Sequence, residues 1–262
     1  MSDEHLNAHS PEVDANNHTR LSIPWVLSRS VSVILSSPVR FLTVAVFAML
    51  PVTVAGLAMA TALVAPDFGP SDLGLWCLLT LVDLVLAGPV AGCVIARMVF
   101  ASERGRPATI SSAFADVVRV LPKVLGIGAL SALAYTVGTL LCLVPVVAVA
   151  TFLFLLEPVV IAEKDGVIAT FRRCVDLTRG NRVPILLLVL LFGGIASTSG
   201  LLIEVLLPHA PEATPGGYFL MSYGIGMLAW MVKAVAAAVA YSMLAGGSNK
   251  RGEVTQPSPS LG

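Results

Sequence analysis

An all-α integral membrane protein with six transmembrane helices is the fold class this sequence predicts, and three observations predict it. Of 262 residues only 16 are Lys or Arg and 16 are Asp or Glu, while 56% are apolar and the mean hydropathy is +0.87. A soluble globule carries about twice that share of charge. Uncharged stretches of membrane-spanning length recur along the chain. Every Lys and Arg except Lys233 then falls on one side of the topology those stretches define.

The elements follow in order. Residues 1–21 form a polar tail with Asp3, Glu4, Glu12, Asp14, His5, His9 and His18. This is the opposite of a cleavable signal, so an internal segment directs insertion, and the tail is expected to be disordered. Residues 22–246 form the membrane domain. An amphipathic segment comes first, with Leu27, Val31, Ile34 and Leu35 opposite Ser28, Arg29, Ser32 and Ser36, and Pro38 marks entry into the membrane. The first two spans cover 41–65 and 73–100, interrupted by Pro51 and Pro89, and the loop between them holds Asp67 and Asp72. A second amphipathic segment sets Ile110, Phe114, Val117 and Leu121 against Ser112, Asp116 and Arg119, and ends at Pro122.

The stretch 122–162 carries Lys123 near one end and Glu157 near the other. Its length fits two spans, 122–140 and 141–162, with a tight turn around Gly138. A re-entrant pair also fits, although lipid disfavours turns at membrane depth because their backbone groups lack partners. A third amphipathic segment has Val167, Ile168, Phe171, Cys174, Val175 and Thr178 on one face and Arg172, Arg173, Asp176 and Arg179 on the other, and ends at Pro184. The last spans are 184–207 and 218–244, separated by a loop with His209 and Glu212, and 247–262 is a second disordered tail. The basic residues lie with the tails and the three amphipathic segments, so both termini are expected in the cytoplasm, with the protein multi-pass in a bacterial inner membrane.

Sliding the second amphipathic unit onto the third so that Glu103 falls on Glu163 also brings Arg104 onto Lys164, Asp116 onto Asp176 and Arg119 onto Arg179. The architecture is therefore pseudo-repeated, each unit being a cytoplasmic elbow helix followed by a helical hairpin. Two readings of the elbows stand side by side. They dock on the membrane surface, with arginines at anionic head groups worth about 1 kcal/mol each, or they pack against the bundle with Asp116–Arg119 and Asp176–Arg179 as weak i,i+3 pairs.

The run from Glu157 reads Glu-Pro-Val-Val-Ile-Ala-Glu-Lys-Asp-Gly-Val-Ile-Ala-Thr-Phe-Arg-Arg-Cys-Val-Asp-Leu-Thr-Arg-Gly-Asn. Its Pro158, Glu163, Gly166, Arg172, Arg173, Thr178, Arg179 and Gly180 resemble a pattern in bacterial inner-membrane proteins related to the membrane domain of glycerophosphoryl diester phosphodiesterases. The segment Gly88-Pro89-Val90-Ala91-Gly92, followed by Glu103-Arg104-Gly105-Arg106-Pro107, is similar to that family's second-span ending and the loop after it. The family usually has Ser at the position of Cys174. The resemblance covers residues 22–246 and implies a multi-spanning protein; no segment here corresponds to the soluble phosphodiesterase domain that some members carry.

Chemistry-bearing motifs are few. Cys77, Cys93, Cys142 and Cys174 show no CxxC and no nearby His pair, and read as small buried thiols rather than metal ligands or disulfides. There is no Walker loop, GxGxxG, HExxH or GxSxG. No catalytic residue, metal or cofactor is expected, and the zero net charge argues against nucleic acid. Asp83, Glu157 and Lys233 stand out because a charge inside a span costs several kcal/mol unless paired, hydrated or neutralised. Counted from the outer span ends, Asp83 lies about 15 Å deep and Lys233 and Glu157 about 22 Å. They form either an interhelical ion pair that fixes assembly or a proton or anion site, with Thr80, Tyr135, Thr139, Ser222 and Tyr241 as further polar lining. Close helix approach is expected at Gly88/Gly92, Gly193/Ser197, Ala196/Gly200 and Ala236/Ala240. Trp25, Trp76, Tyr218 and Tyr241 read as interfacial anchors.

The expected function is that of a non-enzymatic interaction or envelope-organising component. Its Arg172, Arg173, Arg179 and Arg182 would contact anionic lipid of the bilayer, a partner membrane protein or a second copy. The alternative is a small permease-like protein using Asp83, Glu157 and Lys233.

Overall fold

The computed structural model describes residues 21–62, 74, 77–78, 80–106, 108–141, 143–163, 166–206 and 215–254. Among these every regular element is helical. Helix α1 (Ile23–Ser36) meets α2 (Pro38–Ala62) at a bend of 95°. Pro38 has no N–H and pushes the residue before it out of helical geometry, and Ser37 accordingly sits at φ −155°, ψ 57°. Pro51 lies inside α2, which continues past it.

Helix α3 (Gly88–Glu103) follows directly on a single π turn, Asp83–Ala87, within one helical stretch, Thr80–Glu103. Proline chemistry accounts for the wide turn. Pro89 cannot donate to the carbonyl of Val85, and the backbone instead closes a longer ring in which Gly88 N–H donates to the Asp83 carbonyl. Short α4 (Ile110–Arg119) is capped by Thr109, whose Oγ1 accepts from the Ser112 N–H at 3.2 Å. Then come α5 (Leu121–Leu141), α6 (Leu143–Leu153), α7 (Leu156–Ala162), α8 (Val167–Thr178), α9 (Arg182–Leu206) and α10 (Pro215–Val254). The break between α6 and α7 again has a proline four residues on, since Pro158 offers no N–H to the carbonyl of Phe154.

Among the described residues four stretches are long and apolar enough to cross a membrane: Thr80–Glu103, Leu121–Leu141, Pro145–Ala162 and Tyr223–Gly246. A fifth arises if α1 and Pro38–Pro51 are one bent span. The stretch 122–162 therefore holds two apolar stretches of 21 and 18 residues, the second broken between α6 and α7, rising about 31 and 27 Å at 1.5 Å per residue. Gly138 is not the turn. It lies inside α5, and a Cβ there would stand 3.4 Å from the backbone of Val146 on α6, so it lets the two arms of the hairpin approach. The last helix also runs further than expected, through Val254 rather than ending before 247, with no proline to stop it before Pro257. The expected loop 66–72, most of the expected loop 208–217, most of the N-terminal tail and Cys142 lie outside the described residues, and residues 215–217 of that second loop already belong to α10.

Helix α10 is the centre. Ala234 to Ala240 are buried without interruption, and α10 packs against α1, α2, α3, α7 and α9. Alanines on every face let five neighbours close in at once, with dispersion rather than water expulsion as the driving force.

The amphipathic helices are turned relative to expectation. On α8 the buried face is Thr170, Cys174, Leu177 and Thr178, whereas Ile168 and Val175 are exposed beside Arg172 and Arg179. Small Thr and Cys side chains fit the tight seam against the bundle, which leaves the branched aliphatic residues outside. On α1 Val26, Ser30 and Val33 are buried while Trp25, Val31 and Leu35 stay out; on α4 Ala113 and Val117 are buried while Phe114 and Val118 stay out.

The chain turns around α10 converge on one end of the bundle. Leu21 N–H donates to Asn181 Oδ1 at 2.8 Å, joining the start of α1 to the α8–α9 turn, where Gly180 takes φ +101°. Lys123 Nζ donates to the carbonyls of Glu163 at 2.8 Å and Val160 at 3.2 Å, closing the carboxyl end of α7 where unpaired carbonyls gather. The repeat positions Glu103 and Glu163 are treated alike: Ser242 Oγ donates to Glu103 at 3.2 Å, and Tyr241 Oη donates to Glu163 at 3.3 Å. Tyr241 is thus buried, its ring tilted against that of Phe100 at 5.6 Å, rather than an interfacial anchor.

Candidate functional site

The three charges that fall within candidate spans lie on helices far apart in sequence. Asp83 opens the π turn, Glu157 follows the break before α7, and Lys233 sits midway along α10. The fold turns all three onto one cavity of about 270 Å³, which Met49 of α2, Cys93 of α3 and Ser131 and Tyr135 of α5 also line, with Trp230 of α10. Both carboxylates therefore stand where a proline has disturbed the helix, one at a π turn and one at a break.

Two glycines shape this space. Glu157 lies across Gly92: a Cβ there would stand 2.6 Å from its Cδ and 3.0 Å from its Oε1. The missing side chain is the seat of the carboxyl group. Gly128 of α5 lies directly against the carbonyl of Val85, the one that Pro89 cannot serve, with no space for a Cβ. That contact brings the π turn onto α5 and so carries Asp83 to the same cavity as Ser131.

The three ionisable side chains in the cavity form no ion pair with one another. No ion pair joins Lys233 to Asp83 or Glu157 among the described residues, so the expected interhelical pair is not formed. The field of Lys233 does reach Glu157 through space. Asp83 Oδ1 and Ser131 Oγ are buried without a hydrogen-bond partner, and Ser131 is only 8% exposed. A buried polar atom left unpaired typically costs about 1–3 kcal/mol. The Cys93 thiol is turned toward the backbone, donating to the Glu157 carbonyl at 3.7 Å.

Of the other expected lining residues, Tyr135 faces the cavity, Thr139 hydrogen-bonds back to the Tyr135 carbonyl, Tyr241 belongs to the end cluster, and the Ser222 side chain lies outside the described residues. Ser131 and Trp230 were not anticipated. The signal for Ser131 was present, a lone hydroxyl one helical turn before Tyr135 on the face that carries Gly128.

The expected arginine patch is divided. Arg172 and Arg179 are exposed, and Arg182 lies over the Phe152 ring at 5.6 Å. Arg173 instead turns inward, its Nε 3.0 Å from Glu163 Oε1. On α4, Asp116 accepts from Arg97 at 2.8 Å as well as standing 3.5 Å from Arg119, but no Asp176–Arg179 pair occurs among the described residues. Arg179 has already left helical geometry, at ψ 110°, which carries it away from Asp176.

The cysteines are not all buried: Cys77 is exposed, while Cys93 and Cys174 are buried and unbridged. Burial first, and then the negative fields of Glu163 and Glu157, push the Cys174 thiol up to about 12, so it is protonated at neutral pH. Among the described residues no group of His, Cys, Asp and Glu converges as a metal site. Comparison of the chain with protein-family models, curated proteins and solved structures finds no match.

Proposed function

We propose that this chain is a six-span protein of the bacterial inner membrane, both termini cytoplasmic, that works as a small, non-enzymatic permease-like unit. The observation that carries the reading is the cavity. Asp83, Glu157 and Lys233 come from three separate helices to one cavity without pairing, beside the unpartnered Ser131 hydroxyl. A purely structural charge in a membrane is expected to be neutralised by a neighbour, whereas unpaired charges at interrupted helices are the arrangement that solute sites use. Supporting the six spans, α2 and α9 are each 25 residues long and join the four stretches already described. The clustering of Arg29, Lys123, Arg173 and the chain turns at one end supports the shared side of the termini.

Water access tests the reading. With Cys77, Cys93, Cys142 and Cys174 replaced by alanine, Ser131→Cys is expected to react with a small membrane-impermeant thiosulfonate in oriented vesicles. It should do so faster than a lipid-facing control at Leu133. No reaction from either side of the membrane would remove the permease-like reading.

A second reading, contact with anionic lipid, is favoured by the faces that α1, α4 and α8 leave open. Leu35 and Ile168 are each 70% exposed, and Arg172, Arg179 and Arg119 stand among such side chains. Alternating apolar and cationic groups on one helix face suit the head-group boundary. The double change Arg172→Gln, Arg179→Gln is expected to lower retention of phosphatidylglycerol over phosphatidylcholine by about 25-fold, at about 1 kcal/mol per arginine. Native mass spectrometry of the nanodisc-extracted protein reads this ratio, and equal retention would sink the docking role.

A further inference from the structure

We infer that the solute held in this cavity is a small protonated primary amine bearing one net positive charge. The inference rests on the permease-like reading and goes beyond it by naming the chemical class. It starts from charge. With all three groups ionised, Asp83 and Glu157 exceed Lys233 by one negative charge, and a monocation restores neutrality in a medium where an uncompensated charge is expensive.

Hydrogen bonding narrows the class. Asp83 Oδ1 is buried and lacks a donor, and Ser131 Oγ lacks any partner. A quaternary ammonium has no N–H to give them; a primary ammonium has three. A bare metal cation fits less well, because the acidic groups of the described residues do not converge into a ligand cluster. They line a space of about 270 Å³, just below the usual range of drug-sized ligand pockets, so the occupant is smaller than a drug-sized molecule. Trp230 and Tyr135 supply aromatic faces, which attract cations and tolerate a short methylene chain.

A set of probes with one skeleton and four charges tests this: 4-aminobutan-1-ol (cation), butane-1,4-diol (neutral), 4-aminobutanoate (zwitterion) and 4-hydroxybutanoate (anion). Binding is measured by calorimetry on the full chain in nanodiscs. The cation is expected to bind at least about tenfold more tightly than the other three, because a buried carboxylate rejects an analogue that lacks its donor. Asp83→Asn should erase that preference, and Lys233→Met should tighten cation binding by removing a like charge. Should Asp83→Asn fail to fold, Ser131→Ala takes its place, with weakening expected for the cation alone.

If the zwitterion or anion binds best, or Lys233→Met abolishes binding, the amine assignment is overturned while the permease-like reading stands. If no probe shows saturable binding, the assignment is again overturned, and Ser131→Cys labelling decides the permease-like reading independently.

Discussion

Gly128→Ala will destabilise the protein by about 3 kcal/mol or more, at the upper end of what overpacking costs. The atom that a new methyl group meets is the backbone carbonyl of Val85, which cannot rotate aside as a side chain can. Relief requires α5 to move away from the π turn, and that separates Ser131 from Asp83. Thermal unfolding in detergent should show a fall on the order of 10 °C. An unchanged midpoint would mean that α5 and the π turn do not meet at this glycine.

Gly92→Ala has the opposite signature. Here the new methyl group meets the carboxyl end of Glu157, a flexible side chain that can swing away. The expected result is a folded protein, within about 1 kcal/mol of the parent, whose Glu157 carboxylate has left its seat. Binding of whichever solute the cavity holds should weaken by about tenfold, the equivalent of roughly 1.4 kcal/mol. Glu157→Gln in the parent would lose its own charge effect, but in the Gly92→Ala background it should change little. Full additivity of the two changes would show that Gly92 does not position Glu157, because independent sites add and coupled ones do not.

These glycines show where sequence reasoning reached and where it stopped. Hydropathy and proline position locate the helices well: α2, the stretch Thr80–Glu103, α5 and α10 fall where uncharged runs predict them. Asp83, Glu157 and Lys233 are also legible, since a charge in such a run is conspicuous. Their convergence is a matter of helix rotation, and an evenly apolar helix carries little information about its own rotation. In lipid, an apolar face seeks protein or acyl chain about equally. Gly92 and Gly128 set the rotation through packing with residues far along the chain, and nothing local distinguishes them from Gly193 and Gly194, beside which the structure has open space. The same lack of a polar reference explains the amphipathic helices. On α8 the sequence separates apolar from basic residues correctly, but bundle packing selects the small ones, Thr170 and Cys174, and leaves Ile168 outside. The π turn was equally hidden, since Pro89 by itself predicts a kink and does not say which kind.

The place of α10 in the chain has a consequence for how the molecule is made. It follows every helix that it packs against, and it is a partner that all five of those helices share. During synthesis α1, α2, α3, α7 and α9 therefore leave the ribosome before their common partner exists. Their inner faces must wait for it, with Asp83 and Glu157 already made and Lys233 still to come. A nascent chain stalled before α10 would present two acidic groups and lack the helix against which the other five pack.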